Sequence, residues 1–404
     1  MSASTGAQTA HASPYTPPAG GIAGVARRIQ SLDLLRGLIM VLMAIDHVRV
    51  YAGLPAGGPT AGIFFTRWIT HFCAPGFVFF AGTAAFLHGR KLGDTGALSR
   101  YLATRGLMLV VLELTVIRFS WTFSIDYNGF LLAGVIWMLG WCMVLLAALV
   151  RLRPATVGWL GVGIVFLQWA FALPPRLVPE SARPAFGRVW EFIYPTGLDA
   201  AGGMAVLYVL VPWIGVMAAG YGFGAIMTMD TEQRSLICRR LGVTMTVAFL
   251  VAATALALAQ GGGAEEGGTR PLLFRILDQQ KYPASQLFLL MTLGPMIALI
   301  PAAERARGWV AEGMVTIGRV PLFYYLLHIP LIHVSALIVN MARTGAAHGE
   351  WYVSAPYAQV PADGRWSLAL LYLVFTITVA LLYLACRWYA GVKARRPGSW
   401  LRYI

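Results

Sequence analysis

At 404 residues, with 58% hydrophobic and only 12% charged side chains and a mean hydropathy of +0.67, the chain is too apolar for a soluble domain. Its net charge of +14, in so apolar a chain, suits anionic lipid headgroups and not a nucleic-acid partner. Cys73, Cys142, Cys238 and Cys386 follow no pairing or ligand spacing, so neither a disulfide framework nor a metal site is indicated.

The composition predicts an all-α fold, a polytopic membrane bundle of about ten transmembrane helices. Residues 1–26, rich in Ala, Ser, Thr, Gly and Pro and without an apolar run, read as a disordered cytoplasmic tail, and 27–404 as a single transmembrane domain. Apolar stretches near the length of a hydrocarbon core fall at 33–52, 64–88, 101–121, 130–150, 156–173, 203–227, 243–260, 287–303, 320–340 and 367–390. With the amino terminus inside, seventeen Lys and Arg residues flank the cytoplasmic ends and nine the opposite loops, which places both termini in the cytoplasm. The outer loops are then 174–202, 261–286 and 341–366.

The first stretch holds Asp33, Arg36, Asp46 and His47. Arg36 and His47 are eleven residues apart, about three helical turns, so they share a face with Asp33 while Asp46 points roughly 100° away. The stripe carries a carboxylate and a guanidinium near one membrane surface and an imidazole roughly 16 Å further on. Charge kept inside lipid is costly and marks function more often than structure.

On the second stretch, Arg67 and His71 are four apart and share a face, with Pro75 one turn on. Glu113, mid-way along the third, needs a partner, for which an inward arginine or histidine is expected; Arg105 lies two turns away. On the ninth, Tyr324 and Tyr325 share a face with His328, which ranks it above His333.

Several of these residues carry a resemblance. Arg28-x-x-Ser31-Leu32-Asp33-x-x-Arg36-Gly37, followed by a helix ending Asp46-His47, is similar to the start of the bacterial relatives of heparan-alpha-glucosaminide N-acetyltransferase. So are Phe77 to Gly82 after Pro75, Arg105-Gly106, and Gly318-Arg319-x-Pro321 running on to His328. The Arg36-x10-His47 spacing also resembles the first-helix motif of the type-three membrane acyltransferases.

The resemblance implies a multi-pass protein of the bacterial cytoplasmic membrane that moves an acyl group, acetyl above all, from cytoplasmic acyl-CoA to a sugar amine or hydroxyl outside. Acyl-CoA is then a donor substrate, and no cofactor is permanently bound. The family's acyl-accepting histidine lies in the first outer loop, and residues 50–63 contain none; His47 and His71 are the nearest candidates for that part, and direct transfer with a histidine base stays open beside it.

Acyl transfer needs a proton acceptor, and neutral imidazole serves near physiological pH. His47, Asp46 and His71 are therefore the expected catalytic groups, with Asp46 or another carboxylate fixing the tautomer of His47. Arg36, Asp33, Arg67 and Arg105 are expected to bind the donor, and Glu113, Tyr325 and His328 to be further intramembrane polar groups. The expected partners are acyl-CoA, a sugar or glycan acceptor and the bilayer; a homodimer is left open. A proton-coupled transporter is the alternative, since intramembrane Asp, His, Glu and Arg also line such pathways.

Overall fold

The computed structural model describes residues 20–57, 60–127, 130–198, 200, 203–260 and 271–395. Of the stretch expected to be a disordered tail, residues 1–19 lie outside these, and α1 spans Gly20–Tyr51. The next span, Ala61–Leu92, is three pieces in series: α2 (Ala61–Trp68), a 3-10 turn (Ile69–Phe72) and α3 (Cys73–Leu92). Then come α4 (Thr95–Leu112), a π-helical turn (Glu113–Ile117) and α5 (Arg118–Thr122).

Strand β1 (Leu131–Ala133) leads into α6 (Val135–Leu149) and α7 (Pro154–Phe166), followed by the short α8 (Pro174–Leu177) and α9 (Arg183–Trp190). Strand β2 (Met204–Val206) pairs in parallel with β1, Leu131 opposite Met204. The remaining helices are α10 (Trp213–Phe223), α11 (Thr231–Ala259), α12 (Leu272–Leu277), α13 (Gln286–Arg305), α14 (Trp309–Gly318), α15 (Pro321–Thr344) and α16 (Leu368–Arg395).

The all-α class holds. Among the described residues, five helical spans are long and apolar enough to cross a membrane, or six if the pair bent by 61° at Phe166–Gln168 counts as one. The sequence stretches 130–150 and 203–227 are apolar throughout, yet their first residues go into the β1–β2 pair, leaving α6 and α10 shorter than expected. Helix α1 has the length to cross, and it pays for Asp33, Arg36, Asp46 and Arg49 with specific partners described below.

Helix ends follow local chemistry. Asp94 accepts from Gly96 N at 2.7 Å, Asp230 from Glu232 N and Gln233 N at 3.0 Å each, and Ser285 from Phe288 N at 3.1 Å, satisfying first-turn donors that lipid would leave bare. The helices pack through small residues. A Cβ on Gly106 would lie 2.5 Å from the Gly140 carbonyl oxygen, and one on Gly140 2.6 Å from that of Gly106, so α4 and α6 touch backbone to backbone. The same holds for α14 against α1, where a Cβ on Gly37 would sit 1.8 Å from Met314 O and one on Gly318 1.8 Å from Asp33 O. This seats α14, which the sequence reading left unassigned, directly on the charged part of α1.

Candidate functional site

Helix α1 carries polar clusters at two levels. Toward its start, Asp33 Oδ1 lies 3.3 Å from Arg36 Nη1, the one-turn pairing expected of residues three apart, and Arg36 Nη2 donates to Phe80 O at 3.0 Å. Across from Arg36, Arg105 donates to Tyr101 Oη at 3.0 Å. The charges of Arg319 and Lys393 act on Asp33, and that of Arg105 acts on both Arg36 and Lys393. Three cations, Arg36 of α1, Arg319 of the α14–α15 junction and Lys393 of α16, therefore act on one carboxylate, and Arg105 of α4 stands near two of them. Arg319 and Lys393 were not singled out in the sequence, although Arg319 stands inside the Gly318-to-His328 motif.

At the other end of α1, His47 Nδ1 lies 2.6 Å from His328 Nε2. His328 Nδ1 lies 2.6 Å from the Tyr325 carbonyl oxygen. A carbonyl only accepts, so in the neutral ring the proton of His328 is on Nδ1 and its Nε2 is the acceptor; His47 must then donate from Nδ1. The bare lone pair of a neutral His47 is left on Nε2, which has no hydrogen-bond partner among the described residues. Edge-on contact with Trp121, ring centroids 4.8 Å apart, holds the imidazole from the side.

That chain, and the partners of Glu113, depart from two expectations. The carboxylate of Asp46 does not orient His47: its oxygens go to Arg49 Nε at 3.0 Å and Arg67 Nη1 at 3.4 Å. The neighbouring position on a helix faces another way, and His328 takes the orienting part. Tyr325 contributes its carbonyl, not its hydroxyl, to this chain. Glu113, expected beside an arginine or histidine, instead accepts from the backbone N–H groups of Ile136 at 3.0 Å and Trp137 at 3.1 Å. It thus caps the first turn of α6, whose preceding residue Gly134 offers no side-chain cap.

Arg67 reaches from α2 to Asp46 and also donates to Thr70 Oγ1 at 2.9 Å and hydrogen-bonds Tyr282. His71 lies against Phe288, and its Nδ1 is buried with no partner. The turn before α13 adds Lys281, whose charge acts on Asp46, His47 and His71. Burial alone would raise the Tyr282 hydroxyl, but the charges of Lys281 and Arg67 and a hydrogen bond with Tyr208 bring it below the usual phenol range. The neighbourhood of His47 is therefore cationic overall. Lys281, Tyr208, Tyr282 and Trp121 escaped the sequence reading because they lie in loops or at an apolar helix end.

His333, ranked below His328, sits elsewhere: its Nδ1 is 3.2 Å from Ser120 O and its ring stacks on Phe123 at 3.9 Å. Two cavities of about 420 and 380 Å³ have none of these polar groups in their lining, the first apolar between α3, α7, α10, α11 and α13, the second beside the buried Arg234–Glu304 pair.

Residues 28–258 match the model of the heparan-alpha-glucosaminide N-acetyltransferase catalytic family. No curated protein matches the chain. The matched stretch holds Asp33, Arg36, Asp46, His47, Arg67, His71, Arg105 and Glu113, while Lys281, Arg319, His328 and Lys393 come after it. A transferase family lends the transporter reading no support. With more than half its length matched and with apolar helices long enough to span a bilayer, this is a membrane protein that belongs to the heparan-alpha-glucosaminide N-acetyltransferase family.

Proposed function

We propose that the protein is an acetyltransferase of the bacterial cytoplasmic membrane that takes the acyl group from cytoplasmic acyl-CoA and delivers it to a sugar amine or hydroxyl on the far side. The observation that carries this reading is the His47–His328–Tyr325 chain, because it leaves His47 Nε2 free to accept a proton. The donor's phosphates are assigned to the cluster of Arg36, Arg105, Arg319 and Lys393, where guanidinium groups can grip phosphate oxygens bidentately. Asp33 holds Arg36 in place. From there the extended pantetheine arm runs along α1, and the thioester arrives near His47, roughly 16 Å along the axis.

At that end His47 Nε2 removes a proton from the acceptor as its nitrogen or oxygen attacks the thioester carbonyl carbon. The C–S bond then breaks, and the departing CoA thiolate takes the proton back from the imidazolium. His71 is a second polar group beside this centre. Arg67 and Asp46 fix the wall between them. With the amino terminus inside, as the asymmetry of Lys and Arg indicates, the phosphate cluster faces the cytoplasm, where acyl-CoA is.

The test is acetyl-CoA consumption by purified protein in detergent with glucosamine as acceptor. Free CoA thiol released in step with acetylated amine supports the reading, and the absence of both would overturn it. Detergent abolishes any gradient, so turnover there is enzymatic and not transport.

A further inference from the structure

Lys281 is 7% exposed, yet no carboxylate or hydrogen-bond acceptor pairs with its ammonium among the described residues. Its Nζ lies over two rings only, 5.8 Å from the centroid of Tyr208 and 5.2 Å from that of Tyr282. For an ammonium on a side chain so largely buried, cation–π contact offsets only part of the desolvation cost. The nearest carboxylate, Asp46, is already divided between Arg49 and Arg67.

The position is built. Lys281 forms a backbone bridge with Ala284, the Ala284 carbonyl accepts from Gln168 Nε2 at 3.1 Å, and Ser285 N donates to Gln280 O at 3.0 Å just before α13 begins. Such a turn fixes where the backbone of Lys281 stands. Tyr282, beneath its ammonium, hydrogen-bonds Arg67, the partner of Asp46, and the Lys281 charge acts on Asp46, His47, His71 and Cys73, so Lys281 stands beside the end of α1 where the reading above puts the thioester.

We propose that Lys281 donates a hydrogen bond to the carbonyl oxygen of the acyl thioester and stabilises the negative charge that gathers there during transfer. The inference rests on the acyl-transfer reading. When the acceptor attacks the carbonyl carbon, the π pair moves onto oxygen and the acceptor proton goes to His47 Nε2. The oxyanion sits against the Lys281 ammonium until the pair returns, the C–S bond breaks and the thiolate leaves. A cation with no partner at rest gains one as the charge develops, which favours the transition state over the bound substrate.

The experiment compares wild type, Lys281→Met and Lys281→Arg with acetyl-CoA and glucosamine, measuring kcat, acetyl-CoA Kd and the carbonyl infrared band of bound carbonyl-labelled acetyl-CoA. Loss of a single oxyanion donor lowers kcat by about a hundred- to a thousandfold. That loss is expected for Lys281→Met at an acetyl-CoA Kd within about twofold of wild type, with partial recovery in Lys281→Arg. In wild type the carbonyl band should move to lower frequency than in water, and in Lys281→Met it should not.

Undiminished kcat in a folded Lys281→Met protein would overturn the role of Lys281 while leaving acyl transfer standing. So would an unshifted carbonyl band in wild type, a readout that holds even if the variant fails to fold. A defect confined to the KM for glucosamine would make Lys281 an acceptor contact and overturn it too. No thiol release from wild type would remove the acyl-transfer reading and this inference together.

Discussion

His47 and His328 come from positions 281 residues apart, and no spacing rule could have joined them. What the sequence did carry was each histidine's local setting: His47 eleven residues past Arg36, His328 beside Tyr324 and Tyr325. The sequence offers Asp46, which points about 100° away on α1, or another carboxylate as the orienting group, and a histidine from a distant helix makes the contact instead. Replacing His328 with Phe removes the acceptor for His47 Nδ1–H and frees the other tautomer. We expect kcat to fall, by less than when the base itself is removed, with acyl-CoA affinity unchanged; steady-state kinetics with a separate binding titration checks both.

Arg36 makes the opposite prediction. Its guanidinium spends one nitrogen on Asp33 and one on Phe80 O, so Arg36→Lys keeps the charge but cannot keep both contacts. Acyl-CoA binding should weaken in Arg36→Lys and more so in Arg36→Ala, while both bind better to intact cation clusters than to a cluster also lacking Arg105. Titration with a non-hydrolysable acyl-CoA analogue reads this directly, and unchanged affinity in Arg36→Ala would take the phosphates away from this cluster.

At the scale of the element, the conspicuous case is Glu113. A carboxylate at the centre of an apolar helix looked like a proton acceptor in search of a charged partner, and periodicity gave no hint of a strand and a helix start packed against it. In the fold it binds two backbone N–H groups of α6 at a π-helical turn, a use of side-chain acceptors that lipid makes valuable. Glu113→Ala leaves two buried donors unsatisfied at about 1–3 kcal/mol each. The thermal midpoint in detergent should drop clearly, and Glu113→Gln, which keeps one acceptor oxygen, should lose less.

Helix α14 shows the other limit of pattern reading. Its ten residues are too few to span a bilayer, and what fixes its place is the near contact of Gly37 and Gly318 with facing backbone, a feature visible only once two distant segments are together. Two long apolar spans, by contrast, were legible to within a few residues, 287–303 against Gln286–Arg305 and 320–340 against Pro321–Thr344, whereas α11 begins at Thr231, twelve residues before the expected 243, because its first turns are charged. Length and apolarity alone decide those elements.

Over the whole molecule, charge divides into a cationic cluster at the start of α1 and a second, also cationic, at its end, separated by a core of buried apolar side chains. The first is the cluster proposed for a donor's phosphates, the second the one proposed for a developing oxyanion and its base. Orientation decides which solvent each one meets. From the asymmetry of Lys and Arg, a reporter fused after Ile404 should read cytoplasmic and one placed in 341–366 external; an external carboxyl terminus would reverse the assignment of donor and acceptor sides. Convergence of Lys281 on the His47 region was the part of the site least visible in the sequence, since a lone lysine in a long loop resembles a topogenic charge.

The most direct measurement is thiol release from acetyl-CoA by purified wild type and His47→Ala, with glucosamine as acceptor and insertion verified by the same elution and melting behaviour. The proposed base role of His47 predicts a loss of about a hundred- to ten-thousandfold in kcat for His47→Ala, with acetyl-CoA binding retained through Arg36 and its neighbours. Wild-type turnover in a well-folded His47→Ala protein would contradict it and move the base to another group.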